Sequence, residues 1–512
     1  MRAQRSVQPG GGFGAQLLQT LDVRLPAILA LVASALILWP INGAGRDYDE
    51  GVYWQSLRAM ASGHALYTSV FSSQPPFFLV SLYPFYMALG QTIVAARLGI
   101  AVFGIVGVLA MYWLGQELGG RWVGIAAAAL LTFDPLYLHE ARTLQAEAPA
   151  LTLEIVSVAL AVAAMQRAGR SRALLALASG VVLALGTLTK LLDVVALAPI
   201  VLYAASPAFS LWLDADGRVR RPSDESLRPA LRESLWALGW VALGGALGCV
   251  VVLVPFAGAF GLMWNQVVTF HVAAGRIYPP GLLHNTRIIA GGMTLLGAPA
   301  LLALGLAVWR RAWQMAPALL WLLASMLLLV RQAPLFDHHI VLVIPCLALM
   351  AALCLPLIPS LAPLGQWSKW GVYAVLTMCV VIGLALGVGS GRTDAQAPNA
   401  DSQLVVNAIT AFTTAGQPIV TDDQYLAALA DRSTPPELVD TSNVRIDTKN
   451  LTSAQLEAIL SRPDTRFVVL ASGRLQRMPD FVPWLNTNYR KLVDLGDGRA
   501  IYERSPSGSP IA

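Results

Sequence analysis

The chain is short of charge. Only 13% of its 512 residues are Asp, Glu, Lys or Arg, where soluble domains carry about a quarter. That deficit excludes an ordinary soluble globule and a charge-rich disordered chain. Cysteine is also scarce. Cys249, Cys346, Cys354 and Cys379 all lie in apolar runs, so they read as small core residues rather than a disulfide framework or metal site. The net charge is +5, but the basic residues are scattered at segment ends, which argues against nucleic acid as a partner.

What is abundant is apolar surface. Hydrophobic residues make up 56% of the chain and mean hydropathy is +0.60. Apolar runs of about 17–25 residues, enough to cross the hydrocarbon of a bilayer, recur from Leu25 to Leu386. We expect about eleven spans: 25–42, 92–118, 122–138, 147–166, 173–189, 191–205, 235–257, 287–309, 315–332, 338–357 and 370–390. A hairpin near Lys190 separates the fifth from the sixth. No small-residue cleavage site follows Pro40, so the first span is expected to be retained.

Lys and Arg favour the cytoplasmic side of short loops. From a cytoplasmic tail, residues 1–24, the inside then holds Arg121, Arg167, Arg170, Arg172, the five-arginine loop Asp214–Glu233, Arg310, Arg311 and Lys369. The fold class expected is a polytopic α-helical membrane protein, residues 25–390, with a first outer loop at 42–91. A small extracytoplasmic α/β domain, residues 391–512, follows. In it "QPIVTD", "TRFVVLAS" and "RAIYER" read as strands and "SAQLEAILS" and "DFVPWLNTNY" as helices. It lacks a phosphate-cradling glycine loop, so we do not expect it to carry the chemistry.

The outer loops hold the polar residues that hydropathy does not explain. Loop one contains "GRDYDEGVYWQSLRAM", with Asp47, Asp49 and Glu50 beside the bilayer. Asp49 as a helix N-cap and Glu50 as complement to the helix dipole would account for one acid each. Three neighbouring carboxylates repel one another, and charge near lipid is costly. Loop two carries Asp134, His139, Glu140, Arg142 and Glu147. Elsewhere outside are Lys190, His271, Arg276, His284, Arg331, Asp337, His338 and His339. Solubility or interfacial hydrogen bonding explains any one of them alone. No HxxxH spacing marks a metal site in these loops. A divalent metal therefore lacks support from ligand spacing, and no cofactor is expected.

Carboxylates and cations at one membrane face suit one task. Cations neutralise a phosphate leaving group, and a carboxylate takes the proton of an attacking hydroxyl. A polyprenyl-phosphate sugar donor fits, its tail remaining in lipid. The order of "DE" in loop one, a following "PP" and aromatic segment, "AARLGIAVFG", "LTK" and "FDHH…P" resembles the GT-C superfamily of membrane glycosyltransferases. The nearest branch is the dolichyl-phosphate-mannose–protein mannosyltransferase family (glycosyltransferase family 39), with the bacterial aminoarabinose transferase as a relative. The resemblance spans about residues 40–360.

The resemblance implies a sugar transferase of the outer face of the cell membrane. It would invert the anomeric centre without a nucleotide, using a lipid, glycan or protein hydroxyl as acceptor. It assigns Asp49 as catalytic acid-base group, Glu50 as its neighbour and Glu147 as the second-loop acid, a position usually held by Asp. Lys190 matches the lysine of "LTK". Gln74 stands where the family often has lysine before the double proline. The cation for the phosphate must then come from Lys190, Arg142 or Arg276. Tyr53, Gln74, His271 and His338 are further candidates for touching substrate. The competing class is a transporter or flippase, whose intramembrane charges mark a substrate path; no paired halves suggest inverted repeats.

Overall fold

The computed structural model describes residues 13–43, 48–213, 218 and 221–505. Asp47 and parts of the N-terminal tail and of the five-arginine loop lie outside them. Among the described residues, seven helices are long and apolar enough to cross a membrane, and two bent helix pairs raise that to nine. Two shorter apolar helices, Arg24–Leu38 and Arg121–Thr132, fall on the remaining expected spans. Each expected span thus has a helix or a bent pair beneath it.

The first helices of the chain carry part of the site. Helix α1 (Phe13–Leu38) is followed by α2 (Tyr48–Ala61) and α3 (Pro76–Ala88). Next come α4 (Ile93–Gly119), α5 (Arg121–Thr132), α6 (Pro135–Glu140), α7 (Glu147–Met165) and α8 (Gly169–Thr187). Local chemistry sets these boundaries. Thr92 caps α4 by accepting from Ala95 N at 3.2 Å. Asp134 caps α6, accepting from the N–H groups of Leu136 and Tyr137 at 3.0 Å each, and Pro135 takes the first position, where no N–H is needed.

After α8 the chain is extended at Lys190 and then turns into the helical run Leu191–Ala204. Both α8 and that run lie along α7, so the chain reverses at Lys190 as expected. Asp224–Leu253 packs beside α8 with its backbone very close. A Cβ on Gly244 would stand 1.9 Å from Leu177 O. Such small-residue contacts are how helices approach in lipid. Arg172 pairs with Glu233 at the start of this helix pair, and Lys190 lies beyond its other end. Glu233 and Lys190 therefore stand at opposite ends of α8.

The long Gln366–Asp394 helix leads into the small domain. Its sheet has the order β1-β2-β4-β3, with β1 (Ile419–Thr421), β2 (Phe467–Leu470), β3 (Tyr489–Gly496) and β4 (Arg499–Arg504). β1 and β2 are parallel, and the other pairs are antiparallel. Successive residues of β2 point to opposite faces. Phe467 and Val469 join one apolar cluster, Val468 and Leu470 the other. β3 is absent from the sequence reading because "YRKLVDLG" does not alternate. Its signal was the Asp497–Gly498 turn, where both residues have positive φ.

This domain is docked on α2. A Cβ on Gly51 would meet Tyr425 N at 2.3 Å. Gln55 Nε2 donates to Arg432 O at 2.8 Å. Tyr48 Oη accepts from Thr441 N at 2.8 Å and donates to Asp440 at 3.2 Å, with Arg474 3.8 Å above its ring. Helix α2 is thereby held between the membrane helices and the sheet domain.

Candidate active site

Helix α2 begins at Tyr48, so Asp49 and Glu50 lie in its first turn, inside the helix rather than at the cap position that is the non-catalytic alternative for Asp49. Negative charge is favourable there. One residue apart on a helix, the two side chains leave in different directions, and they meet different surroundings.

Glu50 is fully buried. Its two oxygens accept from Arg97 Nε and Nη2 at 2.8 and 2.6 Å, and Oε1 also accepts from Leu144 N at 2.6 Å. Arg97 donates further to Ile41 O at 2.9 Å and Gly43 O at 2.5 Å. This group ties together the end of α1, the start of α4 and the second outer loop.

Asp49 is half-buried and belongs to another group. Tyr53, one turn along α2, has its hydroxyl held above the ordinary range first by burial, then by the negative charges of Asp49 and Glu147. Both acids therefore act on one hydroxyl. Gln74 Nε2 donates to that hydroxyl at 3.2 Å.

Glu147 heads α7, where its charge complements the helix dipole; Pro149 sits in the same first turn. The carboxylate is buried and pairs with Lys190 Nζ. The same oxygen, Oε1, stands 3.4 Å from His338 Nε2. His338 and His339 are consecutive in the helical run Asp337–Val343, their rings edge-on with centroids 4.5 Å apart. His271 Nδ1 donates to Val267 O at 2.7 Å, and its ring lies within electrostatic range of Lys190 and His339. Asp49, Tyr53, Gln74, Glu147, Lys190, His271 and His338 are thus gathered from six separate segments.

The other two candidate cations stand apart from this group. Arg142 is buried and donates to Asp394 Oδ2 at 2.7 Å and Ser390 Oγ at 2.6 Å, fastening loop two to the end of the Gln366–Asp394 helix. Burial depresses its guanidinium and Asp394 opposes that. Arg276 is exposed in the last turn of Phe270–Ile277.

Sequence reasoning did not single out Arg97, Asp394 or His339 for these roles. Arg97 left a signal. A guanidinium inside an apolar run demands a carboxylate partner. Asp394 left none, because its partners lie more than 250 positions away (His139 at 255, Arg142 at 252).

Known proteins resemble this chain in part of its sequence and in its fold. A family model described as dolichyl-phosphate-mannose-protein mannosyltransferase matches residues 61–272, a stretch that includes Gln74, Arg142, Glu147, Lys190 and His271 but begins after Asp49. No curated protein matches the sequence. Among solved structures, ArnT from Cupriavidus metallidurans bound to undecaprenyl phosphate is similar at 15% identity and a TM-score of 0.61, over 96% of this chain and 99% of that one. The archaeal oligosaccharyltransferase AglB from Archaeoglobus fulgidus, in complex with an inhibitory peptide and a dolichol-phosphate, is similar at 13% identity and a TM-score of 0.54, over 96% and 75%. The resemblance read from the sequence is borne out: the fold is that of the GT-C membrane glycosyltransferases, and residues 61–272 carry the sequence pattern of the dolichyl-phosphate-mannose-protein mannosyltransferase family.

Proposed function

We propose that this chain moves a sugar from a polyprenyl-phosphate donor to a hydroxyl acceptor at the outer face of the cell membrane. The observation that carries the reading is the placement of Asp49 and Glu147 about the Tyr53 hydroxyl, with Lys190 paired to Glu147. Asp49 is the general base. It takes the acceptor's proton as the acceptor oxygen attacks the anomeric carbon. The bond from that carbon to the phosphate oxygen breaks in the same displacement, and polyprenyl phosphate leaves. Lys190 receives the phosphate charge. Glu147 holds Lys190 in place and keeps a buried ammonium compensated between turnovers. Glu50 and Arg142 act as braces rather than at the reacting atoms: Arg97 engages both Glu50 oxygens, and Asp394 and Ser390 hold Arg142. The C-terminal domain lies outside the cell, and the five-arginine loop inside.

The test is incubation of the protein in lipid nanodiscs with polyprenyl-phosphate hexoses and pentoses and a panel of lipid, glycan and peptide acceptors. Mass spectrometry should find free polyprenyl phosphate together with a glycosylated acceptor. A donor carried intact to the other leaflet of sealed vesicles would favour a flippase instead. Single cysteines placed in Asp214–Glu233 and after Gly391 should label from opposite sides.

A further inference from the structure

Three side chains able to hold a metal meet in this site although the sequence separates them. One ligand atom from each of Glu147, His338 and His339 lies within 4.8 Å of the others. In a tetrahedral zinc site with bonds of about 2.0–2.1 Å, neighbouring donors stand about 3.3 Å apart. The 3.4 Å between His338 Nε2 and Glu147 Oε1 already matches that edge, so only His339 has to close in. Its Nδ1 accepts a long hydrogen bond, 3.3 Å, from Phe336 N. A ligand bond at that nitrogen would displace one weak contact. Motif spacing could not show this, because the carboxylate and the histidines come from spans four and ten of the expected order.

We propose that Glu147, His338 and His339 bind one divalent transition-metal ion of the zinc class. Two imidazoles and one carboxylate favour such an ion over magnesium or calcium. Three protein donors leave a position open, the arrangement of catalytic rather than structural zinc sites. Lys190 is the competitor, because its ammonium occupies the same carboxylate. Metal and ammonium are alternative cations on Glu147, and an arriving ion frees the flexible lysine toward the open position. The helix N-terminus at Glu147 favours an anion there, so the open position suits a phosphate oxygen.

The experiment uses the full chain in nanodiscs, stripped with chelator and titrated with Co²⁺ and Zn²⁺. Visible absorption and elemental analysis are the readouts. One ion per chain is expected, with a four-coordinate cobalt spectrum. Binding should be lost in Glu147→Gln and His339→Ala and kept in His284→Ala, which removes an exposed histidine. Lys190→Ala should bind the ion more tightly, on the order of tenfold, for loss of a neighbouring like charge. Binding unchanged in both Glu147→Gln and His339→Ala overturns the site. Should those variants fail to fold, the wild type decides: a folded, stripped wild type that takes up no stoichiometric ion also overturns it. Metal uptake is read without turnover, so a bound ion in a protein that transfers no sugar sinks only the proposed reaction, and transfer without an ion sinks only the metal.

Discussion

Two buried acid–cation pairs stand at the same end of the molecule, and they are built differently. Glu50 and Arg97 close on each other through two parallel hydrogen bonds, and Ile41 O, Gly43 O and Leu144 N take up remaining positions. Glu147 and Lys190 meet through one ammonium on one oxygen, and His338 crowds that same oxygen. The first geometry is the rigid fork that arginine makes with carboxylate. The second is a point charge on a flexible stem, able to leave. Burying ions costs free energy in both cases. In the first the cost is offset by a complete hydrogen-bond set. In the second the ions are held by one ammonium on one carboxylate oxygen, as suits groups that exchange partners during a reaction.

Adjacent residues let this contrast be broken most sharply. Asp49→Asn keeps shape and removes proton acceptance. Turnover should fall by roughly 10²–10⁴ if Asp49 is the base, with melting temperature and donor binding unchanged. Glu50→Gln, one residue on, should lose stability first, and activity only through it. A folded Asp49→Asn enzyme with full turnover would remove the base and with it the division of labour between the two acids.

Arg97→Ala probes the closed pair directly. Removing one partner leaves Glu50 buried and uncompensated, a loss of about 3–5 kcal/mol. Nanodisc-embedded variants should melt far below wild type or fail to accumulate. Lys190→Ala leaves a carboxylate that still has His338 within 3.4 Å, so its melting temperature should fall less while its turnover collapses. Equal destabilisation by the two substitutions would erase the distinction drawn between brace and site.

How much of this was legible before the structure depended on distance along the chain. Apolar run length located the membrane helices, because twenty-odd lipid-compatible residues have few alternatives. The Lys190 turn was legible from charge parity. Asp49, Glu147 and Lys190 were legible from residue type and order. Their partners were not. Nothing local says that Glu50 rather than Asp49 faces Arg97, because that depends on which way α2 rolls against the docked sheet domain. The same docking, through Gly51 and Gln55, was invisible, since neither residue looks unusual in a helix. His339 drew no separate attention because a histidine beside another is ordinary until a distant carboxylate joins them.

A smaller effect tests the surroundings of the open pair. Burial and two nearby acids hold the Tyr53 hydroxyl above its ordinary range, so it stays protonated at neutral pH and is no rival base. Tyr53→Phe therefore removes one hydrogen bond with Gln74, worth about 1 kcal/mol net. Turnover should drop several-fold, and the pH profile should keep its shape. A lost or displaced limb in the profile would make Tyr53 a proton carrier.

The smallest effect is expected at a third ion pair, on the outer side of α2. Arg58 meets Asp431 of the sheet domain, in the same helix that holds Glu50. The pairing atoms look similar on paper, but the side chains are 24% and 69% exposed, so water solvates both ions before and after contact. Exposed pairs contribute about 0–1 kcal/mol and are screened by salt. Arg58→Ala should shift the melting temperature by no more than a few degrees, and less still at high ionic strength. The buried Gln55 amide beside it, which donates to Arg432 O, should matter more. Gln55→Ala leaves a buried carbonyl without that donor, at about 1–3 kcal/mol, and no salt dependence follows. If Arg58→Ala instead cost as much as Arg97→Ala, burial would not be what separates these pairs, and the assignment of Glu50 as brace would need another basis.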